Sequence, residues 1–299
     1  MPQPDFRDRA LHAILEGGLR VIPFQKTLIN TLAGSVNCLF QCAGMPAAGA
    51  YPGNALEANV INPGLVANIL GTSDRIISSG NRQLLMKAEA YNNIASFSGV
   101  LMIADLLATY RGLPANTAVA QDLSTVGSAA GRSVLPRYTD GRGVRIFGDV
   151  TTALGATPVS LQLSYTNELG TSGKVSTSTT VASAPQTRSI NVPSRDPFFG
   201  LPLASGDKGV RSIQTAQLSG TTGAAGVYSL ILYRPLMTLQ VQQFGTANTA
   251  NYGQNVSLGE VFTPEILPGA VLVFFWLPLT AVNDTLSGTL TTLKVGKGR

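Results

Sequence analysis

Short runs of alternating apolar and polar residues, or of continuous apolar residues, fill the second half of the chain. They lie at 143–151, 158–166, 174–183, 210–218, 226–234, 237–243, 269–278 and 286–295. Clusters of Gly, Ser, Thr, Asn and Asp separate them, for example at 167–173 and 220–223. Short strands punctuated by such turns are typical of an antiparallel sandwich or barrel. The pattern therefore predicts a mainly β protein, with an antiparallel β-sandwich or jelly-roll-like body that is clearest over residues 134–299.

Residues 82–111 allow two interpretations. Their composition permits a helix, but alternate positions are apolar at Leu84, Met86, Ala88 and Ala90, which is the period of a half-buried strand. Natural breaks at 92–93 and 98–99 precede a second apolar run at 100–107. We therefore favour two strands over one helix.

The first 80 residues have a different character from the rest. Residues 7–17 (RDRALHAILEG) predict a short helix with one apolar stripe, which Gly17 and Gly18 end. Glycines and prolines then break the chain into short apolar pieces up to about residue 60. We expect residues 1–80 to form an N-terminal helix and an extended, loop-rich arm, with residues 18–60 lying along a neighbouring subunit. Residues 81–299 are expected to form the β-rich domain.

The low content of charged residues limits the classes of protein that fit. Only 12% of the 299 residues are charged, about half of the roughly 25% in a typical soluble domain. A protein that remains packed against neighbouring subunits needs less surface charge than a freely diffusing monomer. A neutral exported domain would have the same composition, so this alternative stays open.

The net charge of +5 does not by itself predict nucleic-acid binding, because the basic residues are scattered along the chain. Two local groups exist: Arg132, Arg137, Arg142 and Arg145, and the tail residues Lys294, Lys297 and Arg299. Either group could contact an acidic partner, but solvated loop charges are the simpler interpretation. The longest apolar run, 270–277 (AVLVFFWL), is too short to span a membrane as a helix and predicts a buried strand. Residues 1–9 do not have the pattern of a signal peptide. We expect no membrane partner.

No motif in the sequence predicts a catalytic, cofactor or metal site. A single histidine, His12, excludes a triad built around another histidine and any site with two His ligands. Cys38 and Cys42 have no further Cys to complete a zinc site and are expected to be small buried thiols. Residues 138–143 (YTDGRG) lack the acids of a calcium loop and predict a turn. The prediction is a protein that is not an enzyme.

A possible internal repeat links the predicted strands. The triplet at 143–145 (GVR) begins a stretch that reaches 160–163 (SLQL), and the triplet at 209–211 (GVR) begins another that reaches 229–232 (SLIL). The two stretches could be related strand–turn–strand units that face each other in one sandwich. Chance similarity among strands rich in Gly, Thr and Leu is the alternative.

The order of several fragments carries a resemblance to a known class of protein. The fragments lie at 101–113 (LMIADLLATYRGL), 135–141 (LPRYTDG), 151–158 (TTALGATP), 164–167 with Gly170, 202–212 (PLASGDKGVRS), 218–226 and 232–236 (LYRPL). Together they resemble uncharacterised virion structural proteins of tailed bacteriophages. The resemblance covers roughly residues 95–240, and no single fragment is specific on its own.

The resemblance implies a non-enzymatic building block of the virion, in the capsid or near the head, assembled in the host cytoplasm. It has no catalytic residues to carry over. Its expected partners are copies of itself and the major capsid protein or other virion proteins. A capsid accessory or cement protein fits best, and a neck or tail component is the alternative. A glycan-binding sandwich is a third possibility, but the single tryptophan, Trp276, lies in the most apolar strand and is expected in the core.

Overall fold

The strands account for all the regular structure that can be described. A computed structural model describes residues 18–28, 33–51, 58–61, 81–92, 98–123, 135–181, 190, 199–223, 225–241, 251–256, 264–279 and 284–296. In chain order the strands are β1 (Leu19–Leu28), β2 (Asn37–Cys38), β3 (Gly44–Met45), β4 (Ala58–Val60), β5 (Asn81–Asn92), β6 (Gly99–Pro114), β7 (Gln121–Asp122), β8 (Arg145–Thr152), β9 (Val159–Asn167), β10 (Lys174–Val175), β11 (Thr179–Val181), β12 (Val210–Leu218), β13 (Val227–Val241), β14 (Asn251–Val256), β15 (Glu265–Ile266), β16 (Leu272–Pro278) and β17 (Asp284–Gly296). Within these ranges we find no helix that could cross a membrane.

The strands form three antiparallel sheets. Sheet A has the order β14-β5-β17-β1-β3, with β15 also paired to β5. Sheet B has the order β2-β16-β6-β13-β8, with β4 also paired to β6. Sheet C has the order β10-β9-β12-β7, with β11 also paired to β9. The mainly β, antiparallel, sandwich-like body predicted from the sequence is confirmed.

Sheet B contributes to both of the large hydrophobic cores. The first core joins it to sheet A, where the rings of Phe24 and Phe274 stack with centroids 4.5 Å apart. The second core joins it to sheet C through residues such as Leu161 and Leu230. The long strands β6 and β13 supply side chains to both cores, because both of their faces are buried. This explains their nearly continuous apolar sequences.

The two-strand interpretation of residues 82–111 is confirmed. Strand β5 ends at Asn92 and β6 begins at Gly99, so the predicted breaks fall between them. The two strands belong to different sheets, since β5 pairs with β17 and β6 pairs with β13 and β16.

Three of the predicted runs differ from the structure in extent. The runs 226–234 and 237–243 form one strand, β13, which continues through Pro235. A register shift between Pro235 and Met237 accommodates the proline, which has no N–H to donate to a neighbouring strand. In the described part of the run 174–183, residues 174–181, the strands are the short β10 and β11.

The described part of the expected N-terminal arm packs on the chain's own body. All ten residues of β1 pair with β17, and Cys38 of β2 pairs with Phe275 of β16. Phe40 and Tyr51 are buried in the first core. These segments are therefore part of the chain's own sheets, and the contact of residues 18–60 with a neighbouring subunit stays a prediction. The predicted helix at 7–17 and the domain boundary at residue 80 lie outside the described residues.

The two halves of the possible repeat occupy matching places. Strands β8 and β9 lead from sheet B to sheet C, and β12 and β13 lead from sheet C back to sheet B. Strand β8 pairs with β13, and β9 pairs with β12. The starts of the two units meet in a bridge between Arg142 and Gly209, and their connecting turns meet where Thr157 N–H donates to the Thr222 carbonyl at 3.1 Å. This is the facing arrangement expected of two related units.

The meeting point of the two units should not tolerate a side chain at Gly209. A Cβ added there would lie 2.0 Å from the Gly141 carbonyl oxygen and 2.8 Å from the Gly143 nitrogen. We expect Gly209→Ala to destabilise the protein by about 1–3 kcal/mol in urea unfolding, because the backbone must shift. In the matched control Gly220→Ala the nearest atom is Val159 Cγ1 at 3.5 Å, so the change should stay within about 0.5 kcal/mol. Equal losses of stability in the two variants would contradict the close approach of the Gly141 and Gly143 backbone to Gly209.

Candidate functional site

The buried ion pair of Asp105 and Arg137 is the first polar centre in the fold. Asp105 lies on β6, and Arg137 lies in the segment that leads to β8. Arg137 donates two hydrogen bonds to the carboxylate, from Nε to Oδ2 at 2.7 Å and from Nη2 to Oδ1 at 2.8 Å. Nη2 also donates to the Leu106 carbonyl at 3.0 Å, and the Val271 N–H donates to Asp105 Oδ1 at 3.0 Å. The pair therefore joins β6, the start of β16 and the segment before β8.

The surroundings of the pair favour a structural role. Burial raises the pKa of Asp105, while the guanidinium of Arg137 and the Val271 N–H act in the opposite direction. Both carboxylate oxygens accept hydrogen bonds from the chain itself. Neither of the two sequence interpretations of Arg137, a solvated loop charge or a contact with an acidic partner, fits its burial against Asp105.

Asp149 on β8 is the second polar centre. Its Oδ2 accepts hydrogen bonds from the Tyr51 hydroxyl at 2.6 Å and from Gln41 Nε2 at 2.7 Å. Cys38 Sγ lies 3.7 Å from the same hydroxyl. Burial, and then the charge of Asp149, raises the pKa of both Tyr51 and Cys38 well above their usual values. A thiol held protonated in this way is a poor nucleophile.

Cys38 and Cys42 are buried thiols with no disulfide bond between them, as the sequence predicted. Cys42 also contributes its carbonyl to a third centre, the buried side chain of Lys26 on β1. Lys26 Nζ donates to the carbonyls of Cys42 at 3.1 Å, Pro46 at 2.7 Å and Ala47 at 3.4 Å. Burial lowers the pKa of this lysine. The three carbonyl contacts fasten the 42–47 segment to β1.

A fourth centre, at the end of sheet C, holds the turn after β9. Asp207 accepts hydrogen bonds from the Tyr165 hydroxyl at 2.6 Å and from Asn167 Nδ2 at 2.9 Å, and Lys174 Nζ lies 3.6 Å away. The Tyr165 hydroxyl in turn accepts the Ala204 N–H at 2.8 Å. Burial acts against the charged form of Asp207, but these donors outweigh it, so the pKa of Asp207 lies below its usual value.

The stabilisation from Asp207 should depend on pH. Because its pKa is lower in the folded state, its contribution is complete above the unfolded pKa of about 3.9 and is lost as the pH falls through the folded value. We expect Asp207→Asn to cost about 1 kcal/mol of unfolding free energy at pH 7 and clearly less at pH 3. Urea unfolding of both proteins at the two pH values measures this. A difference that is the same at both pH values would contradict the assignment.

The remaining residues singled out from the sequence occupy ordinary structural positions where they are described. Residues 138–143 form the predicted turn, in which Gly141 N–H donates to the Tyr138 carbonyl at 2.7 Å. Trp276 is fully buried, as expected. In the described ranges no group of three or more His, Cys, Asp or Glu is arranged to hold a metal ion. His12, Arg132, Lys297 and Arg299 lie outside the described residues.

The signals for these polar centres are weak in the sequence. Lys26 occupies an inward position of β1, in alternation with Ile22, Phe24 and Leu28, and this pattern could have indicated its burial. Asp105 is the one charged residue within the continuous apolar run of β6, and this position could also have indicated its burial. Nothing local marks Asp149 or Asp207, whose partners are up to 108 residues away.

Comparison with known proteins gives little further information. No family model and no curated protein matches the chain. Among solved structures, the VP2 subviral particle of infectious bursal disease virus matches with 9% identity and a TM-score of 0.19, covering 93% of this chain and 80% of that chain. A structure of the Gx strain of the same virus matches with 11% identity and a TM-score of 0.17, covering 92% and 80%. Such TM-scores do not establish a common fold.

The four centres have one property in common. In each, a charged group is held by donors or acceptors from distant parts of the same chain. Such networks fix strands and turns relative to one another. The arrangement can rigidify a β body, which is a structural rather than a catalytic capacity.

Proposed function

We propose that this chain is a non-enzymatic structural protein of a tailed-bacteriophage virion, and that it acts as a capsid accessory or cement protein. The observation that carries the proposal is the order of sequence fragments over residues 95–240, which resembles virion structural proteins of these phages. The low charge content and the β-rich body are consistent with it. So are the four polar centres, whose charged groups are hydrogen-bonded within the chain itself.

The extent of the resemblance matches a unit of the fold. Residues 95–240 correspond closely to β6 through β13, which begin at Gly99 and end at Val241. This stretch includes all of sheet C, together with the strands of sheet B that face it across the second core. The fragments therefore lie in strands and turns that pack around one core, so a protein with the same fragments in the same order could form the same packed unit.

A cement protein stabilises a shell by burying surface across the boundaries between subunits. A standard interface buries about 1,600 Å² in total, and repetition over a symmetric shell converts modest affinity into high avidity. Such a protein needs a rigid body, because flexible contacts lose conformational entropy on binding. The buried polar centres and the two cores provide that rigidity. Copies of the chain and the major capsid protein are the partners that we propose, in a virion assembled in the host cytoplasm.

Light scattering and negative-stain imaging of the purified protein, followed by co-sedimentation with empty phage shells, test this function. A small closed oligomer that sediments with shells is the expected result. Rings, tubes or open polymers would assign the chain to the neck or tail instead. A monomer that does not sediment with shells would overturn the virion assignment, and binding to a glycan array would then favour the glycan-binding alternative.

A further inference from the structure

We propose that two copies of the chain associate through the outer face of sheet A, centred on β1 and β3. This inference rests on the proposed function, because it identifies the surface that a self-associating virion protein would use. The outer face is the side of sheet A that faces away from the first core. It is defined here by the outward positions of β1, β3, β17 and β5.

The apolar part of this surface lies along β1. Ile22, Phe24 and Leu28 point into the first core, so Leu19, Val21 and Pro23 point outward. Leu19 is 44% exposed and Val21 is 60% exposed. Met45 of β3, which pairs with Gln25 of β1, is 50% exposed. Apolar side chains grouped in this way on one sheet are typical of a protein–protein contact.

The adjoining strands add a polar surface without a net charge. Ser287, Thr289 and Thr291 of β17 lie opposite the outward positions of β1. Beyond them on β5, Lys87 and Glu89 form an ion pair with 2.6 Å between Nζ and Oε1. Because these two charges neutralise each other, two copies related by a twofold axis can meet without like-charge repulsion.

The neighbouring end of the same face is already buried. Leu84, Met86, Leu293 and Val295 form a small separate hydrophobic cluster there, next to the pair of Leu19 and Leu293. The surface that we propose therefore ends at Leu19 and does not include this cluster.

The part of the β1 edge that pairs with no described strand is poorly suited to pairing with a strand from another molecule. Among the described residues, β3 pairs only with Gln25 and Lys26 of β1. The Thr27 N–H donates to the Ala43 carbonyl on this side, so the odd-numbered residues of β1 direct their backbone groups towards that edge. Pro23 lacks an N–H at such a position, which is a common device against edge-to-edge pairing. Association through the face is therefore favoured over extension of the sheet.

The size of the face fits a reversible pair. Outside the buried cluster, β5, β17 and β1 lie about 4.8 Å apart over about eight residues with a rise of about 3.4 Å each, which gives roughly 400 Å² per copy. Two copies would bury about 800 Å², which is in the range of weak, transient contacts. We therefore expect association that depends on protein concentration.

A charge placed at Val21 tests the proposal. Light scattering over a concentration series should show wild-type association, and Val21→Lys should raise its dissociation constant at least tenfold, because each copy would bring a like charge into the apolar part of the interface. The matched control is Val119→Lys, since Val119 is 73% exposed but lies outside sheet A. Wild-type association that persists in Val21→Lys, or that Val119→Lys weakens equally, would overturn the proposal. A wild-type protein that stays monomeric at all concentrations would also overturn the proposal.

Two further measurements keep the result interpretable. If thermal unfolding shows that Val21→Lys is misfolded, Met45→Lys on the adjacent strand replaces it with the same expected outcome. Co-sedimentation with empty shells separates this inference from the proposed function. Association lost in Val21→Lys, with no shell binding by the wild type, would uphold the surface and reject the cement role. Shell binding by the wild type, with association unchanged in Val21→Lys, would uphold the role and reject the surface.

Discussion

Replacement of Asp105 by alanine is expected to destabilise the protein by about 3–5 kcal/mol, because it leaves the guanidinium of Arg137 buried without its carboxylate. The Val271 N–H would lose its acceptor in the same variant. The loss should be seen as a lower urea midpoint at neutral pH, with the slope of the transition unchanged.

An exposed ion pair supplies the control for this prediction. Lys87 Nζ and Glu89 Oε1 are 2.6 Å apart, close to the 2.7 Å of the buried pair, but the two side chains are 30% and 39% exposed. Lys87→Ala should therefore cost no more than about 1 kcal/mol. The double variant Asp105→Leu with Arg137→Met should recover part of the stability lost in Asp105→Ala, because no unpaired charge remains. A cost for Asp105→Ala as small as that for Lys87→Ala would show that the buried pair does not hold the strands together.

Most of the strands could be predicted because their side chains alternate. Strand β12 occupies the predicted run 210–218, and β9 and β17 lie within a residue or two of their predicted ends. In β9, and in β17 from Leu286 to Thr292, alternate side chains are buried, so local sequence is enough to reveal the strand. In β12 two register shifts interrupt the alternation, but the buried positions still lie on one strand. The assembly of the strands into three sheets was not predictable in this way, because pairings such as β1 with β17 join residues at opposite ends of the described chain.

The polar centres illustrate why sequence reasoning missed the interior charges. Arg137 lies among glycines and other arginines, which locally indicates a solvated loop. Its burial depends on Asp105, 32 residues earlier, and on the approach of Val271, which is 166 residues from Asp105. The pairing of β1 with β17 was missed for a similar reason. The glycines and prolines that follow β1 suggested an extended segment, whereas the inward alternation of β1 fits a strand that a sheet of its own chain covers.

Removal of the Phe275 ring should produce the second large effect. Phe275 is fully buried in β16, which lies between β2 and β6. Its ring centroid is 5.1 Å from that of Phe147 on β8 and 4.6 Å from that of Tyr233 on β13. Phe275→Ala should therefore cost about 3–5 kcal/mol in urea unfolding, through lost burial and the cavity that remains.

Phe275→Leu is the matched variant, since it keeps most of the volume and removes only the aromatic contacts. We expect it to cost about 1–2 kcal/mol, which is clearly less than the alanine variant. Because this cluster joins three strands of sheet B, which contributes to both cores, Phe275→Ala should also lower the thermal midpoint of the described body as one transition. Equal costs for the two variants would mean that the surrounding strands close over the cavity, and that sheet B is not the rigid centre of the fold.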